Sequence, residues 1–138
     1  MQSETIGKLA TALAKARGEL DHPTRNKVNP HFKNSYADLT AVLDAVTPTF
    51  SENGLAIIQM IEGDTLVTTL THSSGEFITQ AANIPPNNNA QQLGSALTYL
   101  RRYTVQALAA IAADDDDDGA AASKSTKNNA NNSKDEDW

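Results

Sequence analysis

The spacing of apolar residues divides the chain into helical segments, strand-like segments and a tail without periodicity. Apolar residues recur every three or four positions in three segments, which predicts helices over residues 3–17, 37–50 and 90–111. Between the second and third helices lie three short runs rich in branched residues, which predict strands over residues 55–61, 65–71 and 76–82. Because only short turns separate these runs, we expect an antiparallel meander.

The order helix, helix, three strands, helix predicts an α+β fold in which the last helix packs across the sheet. In the first helix, Ser3 is expected as the N-cap with Glu4 in the first turn. Its apolar side is expected to contain Ile6, Leu9, Ala10, Leu13 and Ala14. The second helix is expected to end near Pro48, ahead of Gly54.

Two segments fall outside this periodic pattern. Residues 18–34 are polar, basic and rich in glycine, proline and asparagine, which predicts a long functional loop. The last segment is poor in apolar residues and rich in Ala, Ser, Lys, Asn and Asp, so we expect it to be disordered. We therefore divide the chain into a folded domain over residues 1–113 and an acidic low-complexity tail over residues 114–138.

The distribution of charge changes the meaning of the net charge of −6. Eight of the seventeen acidic residues lie in the tail, so residues 1–113 are close to neutral. Screening limits the influence of distant charges to about 10 Å, and local clusters of cations therefore decide whether a polyanion binds. The acidic total does not exclude nucleic acid as a ligand.

The predicted last helix carries an unusual cluster of aromatic and cationic residues. On a helix, Tyr99, Arg102 and Tyr103 share one face. A largely separate apolar stripe is available to the core, formed by Leu93, Leu97, Leu100, Ala107, Leu108 and Ile111. Rings beside guanidinium groups suit a polyanion with stackable bases. The alternative is an ordinary helix whose tyrosines complete the core and whose arginines pair with carboxylates.

The loop at residues 27–39 has a similar composition. It interleaves cations, amides and two rings, a mixture that binds single strands through phosphates, bases and sugars. The candidate contacts here are Lys27, His31, Phe32 and Lys33. Under the alternative interpretation, Phe32 and Tyr36 anchor the loop to the core.

Taken together, these stretches resemble the ERF (essential recombination function) family of phage single-strand annealing proteins. The resemblance covers roughly residues 5–118. It is carried, in order, by NPHFKNSYADL at 29–39, GL at 54–55, THSSGE at 71–76, QLGSALTYLRRY at 92–103 and DDD at 115–117. It implies a β-β-β-α core formed by the meander and the last helix.

The resemblance also implies a function that needs neither ATP, metal nor another cofactor. The protein would bind single-stranded DNA, pair complementary strands and assemble into rings or helical filaments, without acting as an enzyme. The DNA-binding residues would be Lys27, His31, Phe32, Lys33, Tyr99, Arg101, Arg102 and Tyr103. The partners would be single-stranded DNA, the annealed duplex intermediate and further copies of the chain, with a host single-strand-binding protein or a phage exonuclease as additional candidates.

Other functions are weighed against this one. A protein that coats single strands without annealing them fits the same residues. A metal-dependent nuclease would have to use the aspartate run at 114–118, yet consecutive residues in a flexible segment do not converge on one ion. The three histidines lack the spacing of a zinc site, and a phosphate-binding loop is missing. With no cysteine, signal peptide or apolar run long enough to span a bilayer, we expect a cytoplasmic protein without membrane partners.

Overall fold

The computed structural model describes residues 1–28 and 35–113, which form an α+β fold. The sheet lies between the second and third helices in the chain, as the apolar pattern predicts. In chain order the elements are α1 (Gly7–Glu19), β1 (Lys27–Val28), β2 (Ser35–Tyr36), α2 (Leu39–Glu52), β3 (Leu55–Glu62), β4 (Thr65–His72), β5 (Phe77–Asn83) and α3 (Ala90–Ala109).

The predicted meander is confirmed, with each strand within one residue of its expected bounds. The strand order is β3-β4-β5, and both pairs are antiparallel. Gly63 and Gly75 form the two turns with φ angles of 61° and 92°, which glycine adopts without steric cost. In this register Ile57 lies opposite Leu70, and Leu70 lies opposite Ile78.

The helices pack on the face of the sheet that carries those three side chains. Leu55 and Leu70 join a buried cluster with residues of all three helices, including Leu9, Val46 and Val105. The side chain of Gln59 on β3 donates a hydrogen bond to Thr104 of α3 over 2.8 Å. The predicted contact between the meander and the last helix is therefore confirmed.

The apolar stripe of α3 differs from the predicted one. Val105 and Ala109 are buried, whereas Ala107 is exposed and Leu93 is only half-buried. The reason is that α3 contacts the core mainly through its second half, so the stripe at the first half lies at the margin of the domain. The helix ends at Ala110, whose φ of 53° allows the N–H of Ile111 to donate to Gln106 O.

The beginning of α1 also differs from the expectation. The helix starts at Gly7 rather than at residue 4, and Ser3 does not cap it. Instead, Ser3 extends along β5, where its hydroxyl accepts the N–H of Phe77 over 2.9 Å. The buried carboxylate of Glu76 takes the role of the cap, since it accepts the N–H of Leu9 over 2.8 Å and the hydroxyl of Thr5 over 2.7 Å.

The buried side of α1 is rotated relative to the predicted one. Ala10 and Ala14 are exposed. The residues that pack against α2 and the sheet lie on a neighbouring side of α1 and extend to its C-terminal end. That side contains Leu9, Ala12, Leu13, Ala16 and Leu20. The second helix continues through Pro48 to Glu52, two residues beyond its predicted end, and stops ahead of Gly54 as expected. Gly54 follows with a φ of 71°, and a Cβ there would lie 2.8 Å from Ser73 Oγ.

The long early loop contains an element that periodicity does not reveal. Lys27 pairs with Tyr36 and Val28 with Ser35, which makes a two-residue antiparallel ladder. Strands this short carry no alternation to detect. The residues between them, 29–34, and the acidic tail, 114–138, lie outside the described residues. The predicted disorder of the tail and the domain division after residue 113 therefore stay predictions.

Candidate nucleic-acid interface

Two tyrosines and one arginine of α3 form a contiguous stack on one face of the helix, as the spacing of Tyr99, Arg102 and Tyr103 predicts. The ring centroids of Tyr99 and Tyr103 lie 4.5 Å apart, with their planes tilted by 52°. The guanidinium carbon of Arg102 lies 4.7 Å from the ring centroid of Tyr103. Tyr99 is 53% exposed and Tyr103 is 38% exposed. Because Arg102 and Tyr99 already contact the Tyr103 ring, Tyr99 is the ring with the most area open to a ligand.

Arg102 also joins this stack to the early loop. Its guanidinium carbon lies 4.7 Å from the ring centroid of Tyr36 on β2, so two rings flank the same cation. An N–H of the guanidinium donates to the carbonyl of Ala37 over 3.4 Å. The result is a series of contacts running from Tyr36 through Arg102 and Tyr103 to Tyr99.

Backbone contacts fix the early loop against the end of α3. The N–H of Ala37 donates to the carbonyl of Ala113 over 2.7 Å. The N–H of Ala112 donates to Nδ1 of His22 over 2.9 Å. These bonds connect positions more than 70 residues apart in the chain. The structure therefore brings together the two stretches that the sequence singles out.

An open groove of about 620 Å³ lies where the first half of α3 passes the start of α2. One wall carries the rings and the guanidinium, and the other carries small or polar side chains of α3. It is lined by Tyr36, Asp38, Leu39, Ala90, Gln91, Gly94, Ser95, Thr98, Tyr99 and Arg102. The first residues of both α2 and α3 border this groove, and helix N-termini carry partial positive charge that favours anions.

Asp38 is the carboxylate that lines this groove, and its hydrogen bonds stabilise the start of α2. Its side chain caps α2 by accepting the N–H of Ala41 over 2.9 Å, and its own N–H donates to Asn26 Oδ1. The hydrogen bond from the Ala41 N–H, followed by one between the Asn26 side chain and the carboxylate, lowers the pKa of Asp38, and the charges of Lys27 and Arg102 act in the same direction. Arg102 and Asp38 thus line the groove with opposite charges, and Lys27 lies close enough to act on the same carboxylate.

The predicted site residues do not all lie in one place. Lys27 is exposed and pairs with Tyr36, so the two side chains project from the same face of the β1–β2 ladder. Arg101 lies on another side of α3, where it lines a cleft with Leu43, Phe50 and Ile57. His31, Phe32 and Lys33 lie outside the described residues.

Sequence reasoning missed several residues that line the groove. Tyr36 is absent from the predicted binding residues, although it contacts Arg102 beside the groove. Gly94, Ser95 and Thr98 are absent from the predicted binding residues, although Ser95 lies four positions before Tyr99 and Thr98 four before Arg102, and hence on the same side of the helix. That spacing is a signal the sequence contains. The position of Asp38 at the groove depends on the early loop and has no comparable signal.

The chain is thus an α+β domain with an open groove whose lining includes two tyrosines and Arg102. A family comparison matches the ERF superfamily over residues 9–137, and the chain belongs to that family. The matched range ends at residue 137, beyond residue 118, where the resemblance described above ends. Membership associates the chain in general terms with single-strand annealing in phage recombination, a role that is not enzymatic in this family. Comparisons with curated proteins and with solved structures give no match.

Two further searches concern only residues 1–28 and 35–113. No helix in these ranges is both long and apolar enough to cross a membrane. Within the same ranges, no group of three or more His, Cys, Asp or Glu side chains is placed to hold a metal ion.

Proposed function

We propose that this chain binds single-stranded DNA in the groove beside α3 and anneals complementary strands without ATP, as an oligomer acting in the host cytoplasm. The observation that carries the proposal is the exposed ring of Tyr99 at the end of the stack that contains Arg102. Membership of the ERF superfamily supports the general role.

Each wall of the groove has a part in binding. The Tyr99 ring stacks on a base, a contact worth about 1–3 kcal/mol per base. Arg102 and Lys27 attract the phosphates, while Tyr36 and Tyr103 hold the Arg102 guanidinium in place. A Cβ added at Gly94 would meet no atom within 4 Å, so the strand has room to approach the helix closely there.

The openness of the groove favours pairing over storage. A strand held by its phosphates and by one stacked base keeps the Watson–Crick edges of its other bases accessible to a complement. Each base-pair step then contributes stacking of about 1.4 kcal/mol. No covalent bond forms or breaks, so neither a nucleotide cofactor nor a catalytic residue is needed.

The remaining expectations belong to the same proposal. His31, Phe32 and Lys33 would extend the contacts from the segment between β1 and β2. Arg101 would contact a phosphate from the other side of α3. The partners are single-stranded DNA, the annealed duplex and further copies in a ring or filament, with a host single-strand-binding protein or a phage exonuclease as additional partners.

The experiment that tests this function mixes the protein with two complementary labelled oligonucleotides in the absence of nucleotide. We expect duplex to form faster than in protein-free samples, and Tyr99→Ala to lose most of this acceleration. Tyr99→Phe is the matched control, because it keeps the stacking ring and removes only the hydroxyl.

Three other outcomes would contradict the proposal, the first two by assigning a different function and the third by excluding the groove. Tight binding of each strand with no faster duplex formation would identify a coating protein. Cleavage of the labelled strand with Mg²⁺ or Mn²⁺ would identify a nuclease. Equal acceleration by the wild type and Tyr99→Ala would show that annealing does not use the groove.

A further inference from the structure

The strand β3 has the composition of a strand buried on both faces. Every residue from Leu55 to Ile61 is apolar except Gln59, and such continuous runs are typical of strands covered on both sides. Yet β3 lies at the edge of the sheet. Among residues 1–28 and 35–113, no strand pairs with its outer side. Its unpaired backbone groups are a template for another strand.

The exposed side chains of β3 fit a partner at this edge. Ile58 is 46% exposed and Met60 is 66% exposed, both on the face of the sheet opposite the helices. Ile61, on the helix side, is 58% exposed. Large apolar side chains are thus exposed on both faces of β3. A partner that covered only one face of the sheet would not bury all of them.

The neighbouring strands support an edge contact over a contact with the flat sheet. On the outer face of the central strand β4, three of the four side chains are threonines, at Thr65, Thr69 and Thr71. The excess of apolar surface is therefore confined to β3. At the opposite edge of the sheet, the first half of β5 is covered by the chain itself, since Met1 and Ser3 bond to Thr79 and Phe77.

We propose that the edge of β3 binds the β3 edge of a second copy of this chain, antiparallel and centred on Gln59, so that one six-stranded sheet spans two copies. This inference rests on the proposed function only in taking the partner to be another copy of the chain. The contact joins copies in pairs, and a ring or filament requires a second contact between such pairs. An antiparallel pair about a two-fold axis perpendicular to the sheet keeps each face continuous. Centring on Gln59 places Ile58 opposite Met60 of the partner, and Ile57 opposite Ile61 of the partner.

Length and charge both favour a second β3 as the occupant. β3 contains eight residues, whereas the covering segment at β5 spans only Met1–Ser3, so another β3 is the edge of matching length. Most of the net charge of −6 lies in residues 114–138, so residues 1–113 are close to neutral. β3 carries no charge before Glu62, and the proposed register sets Glu62 opposite Ala56. The contact therefore joins uncharged, apolar residues of two acidic molecules.

The test measures molar mass by light scattering over a dilution series of the full chain. Lysine on an edge strand blocks pairing, so Met60→Lys should lower the mass of the assembly at least two-fold. Ala81→Lys is the matched control. Ala81 is exposed on the same outer face and lies in the same row as Met60, across Val67, but it is on β5, two strands away from the β3 edge.

Each result of this comparison decides the proposal. Loss of mass in Met60→Lys alone supports it. Equal loss in both variants would place the partner flat on the sheet and overturn it, as would a wild type that is monomeric throughout the series. Thermal melting of both variants shows whether each remains folded.

Disulfide trapping tests the register directly. The chain has no cysteine, so Gln59→Cys supplies a unique thiol at the centre of the proposed pair. Directly paired residues lie within the 4.4–6.8 Å Cα separation that a disulfide allows. We expect covalent dimers from Gln59→Cys and none from Gln80→Cys on β5. The reverse pattern would overturn the register.

The failure of this proposal is distinguishable from failure of the proposed function. The groove is formed within one copy, so Met60→Lys should bind an oligonucleotide of a few bases as the wild type does. If that binding is absent in the wild type as well, the groove hypothesis fails while the mass comparison still decides the β3 contact.

Discussion

Arg101 and Arg102 are adjacent in the chain but lie in contrasting environments. Arg102 is flanked by Tyr36 and Tyr103 at a groove with polar and aromatic walls. Arg101 lines a largely apolar cleft between α2 and β3, near the open edge of the sheet. The helical rotation between neighbouring residues is what separates them. One helix thus presents a surface suited to a polyanion on one side and borders a surface suited to another protein chain on the other.

This difference shows that cations adjacent in the sequence need not belong to the same surface of the fold. The run LRRY places two guanidinium groups side by side, but only Arg102 has rings on both sides and belongs to the groove. The comparison leads to four predictions, which separate effects on DNA binding from effects on stability.

The largest effect is expected from Tyr99→Ala. Removing the most exposed ring of the stack eliminates a base contact worth about 1–3 kcal/mol, so affinity for single-stranded DNA should fall about 5- to 100-fold. Fluorescence anisotropy with a labelled oligonucleotide measures this change. Tyr99→Phe should stay within about two-fold of the wild type, because stacking does not need the hydroxyl. Unchanged affinity of the alanine variant would remove Tyr99 from the interface.

A smaller effect is expected from Arg102→Ala, and a still smaller one from Arg101→Ala. Loss of one phosphate contact lowers the salt dependence of single-strand binding by about 0.7 in log–log slope. We expect that decrease for Arg102→Ala, together with weaker binding to every sequence alike. Titrations at several salt concentrations provide the slopes. A larger loss of slope in Arg101→Ala would move the phosphate path to the other side of α3.

The Glu76→Gln variant should affect stability without affecting the groove. The Thr5 hydroxyl and the Leu9 N–H lower the pKa of Glu76, so folding favours its ionised form. Its stabilisation is present above the ordinary value of 4.5 and is lost as the pH falls through the lowered pKa.

Thermal melting as a function of pH measures this contribution. The wild type should lose stability steeply on acidification, and Glu76→Gln should be less stable at neutral pH with a flatter acid dependence. The lowered pKa of Asp38 leaves a residual slope in the same direction. Parallel curves for the two proteins would contradict the capping role, and weaker DNA binding at neutral pH would contradict the separation of the two regions.

The smallest effect, and a favourable one, is expected from Ala110→Gly. Ala110 has a φ of 53°, a left-handed conformation that costs a residue with a Cβ about 1–2 kcal/mol. Glycine relieves this cost but loses more conformational freedom on folding, so we expect a net gain of about 1 kcal/mol. Calorimetry should show a melting temperature higher by a few degrees with DNA affinity unchanged. A lower melting temperature would contradict the expected relief.

The elements with regular patterns were predictable from the sequence. The meander matches within one residue because its branched residues are interrupted by glycine turns at Gly63 and Gly75. The shared face of Tyr99, Arg102 and Tyr103 follows from helical spacing alone. Sequence spacing could also have added Thr98 and Ser95 to the groove.

Other features depend on contacts that no local pattern encodes. Glu76 caps α1 from about 70 residues away, which makes Ser3 available to cover β5. The ladder between Lys27 and Tyr36 is only two residues long. The position of β3 at an exposed edge depends on the strand order. Its composition does not reveal this position, because it is typical of a strand covered on both faces.

The most direct test of the groove is to cross-link the wild-type protein to an oligonucleotide containing bromodeoxyuridine and to locate the linked residues by mass spectrometry. Photoactivated bases attach to the aromatic rings against which they lie. The account predicts attachment at Tyr99, with Tyr36 as the secondary position. Attachment confined to the outer face of the sheet, at residues such as Phe77 or Met60, would contradict it.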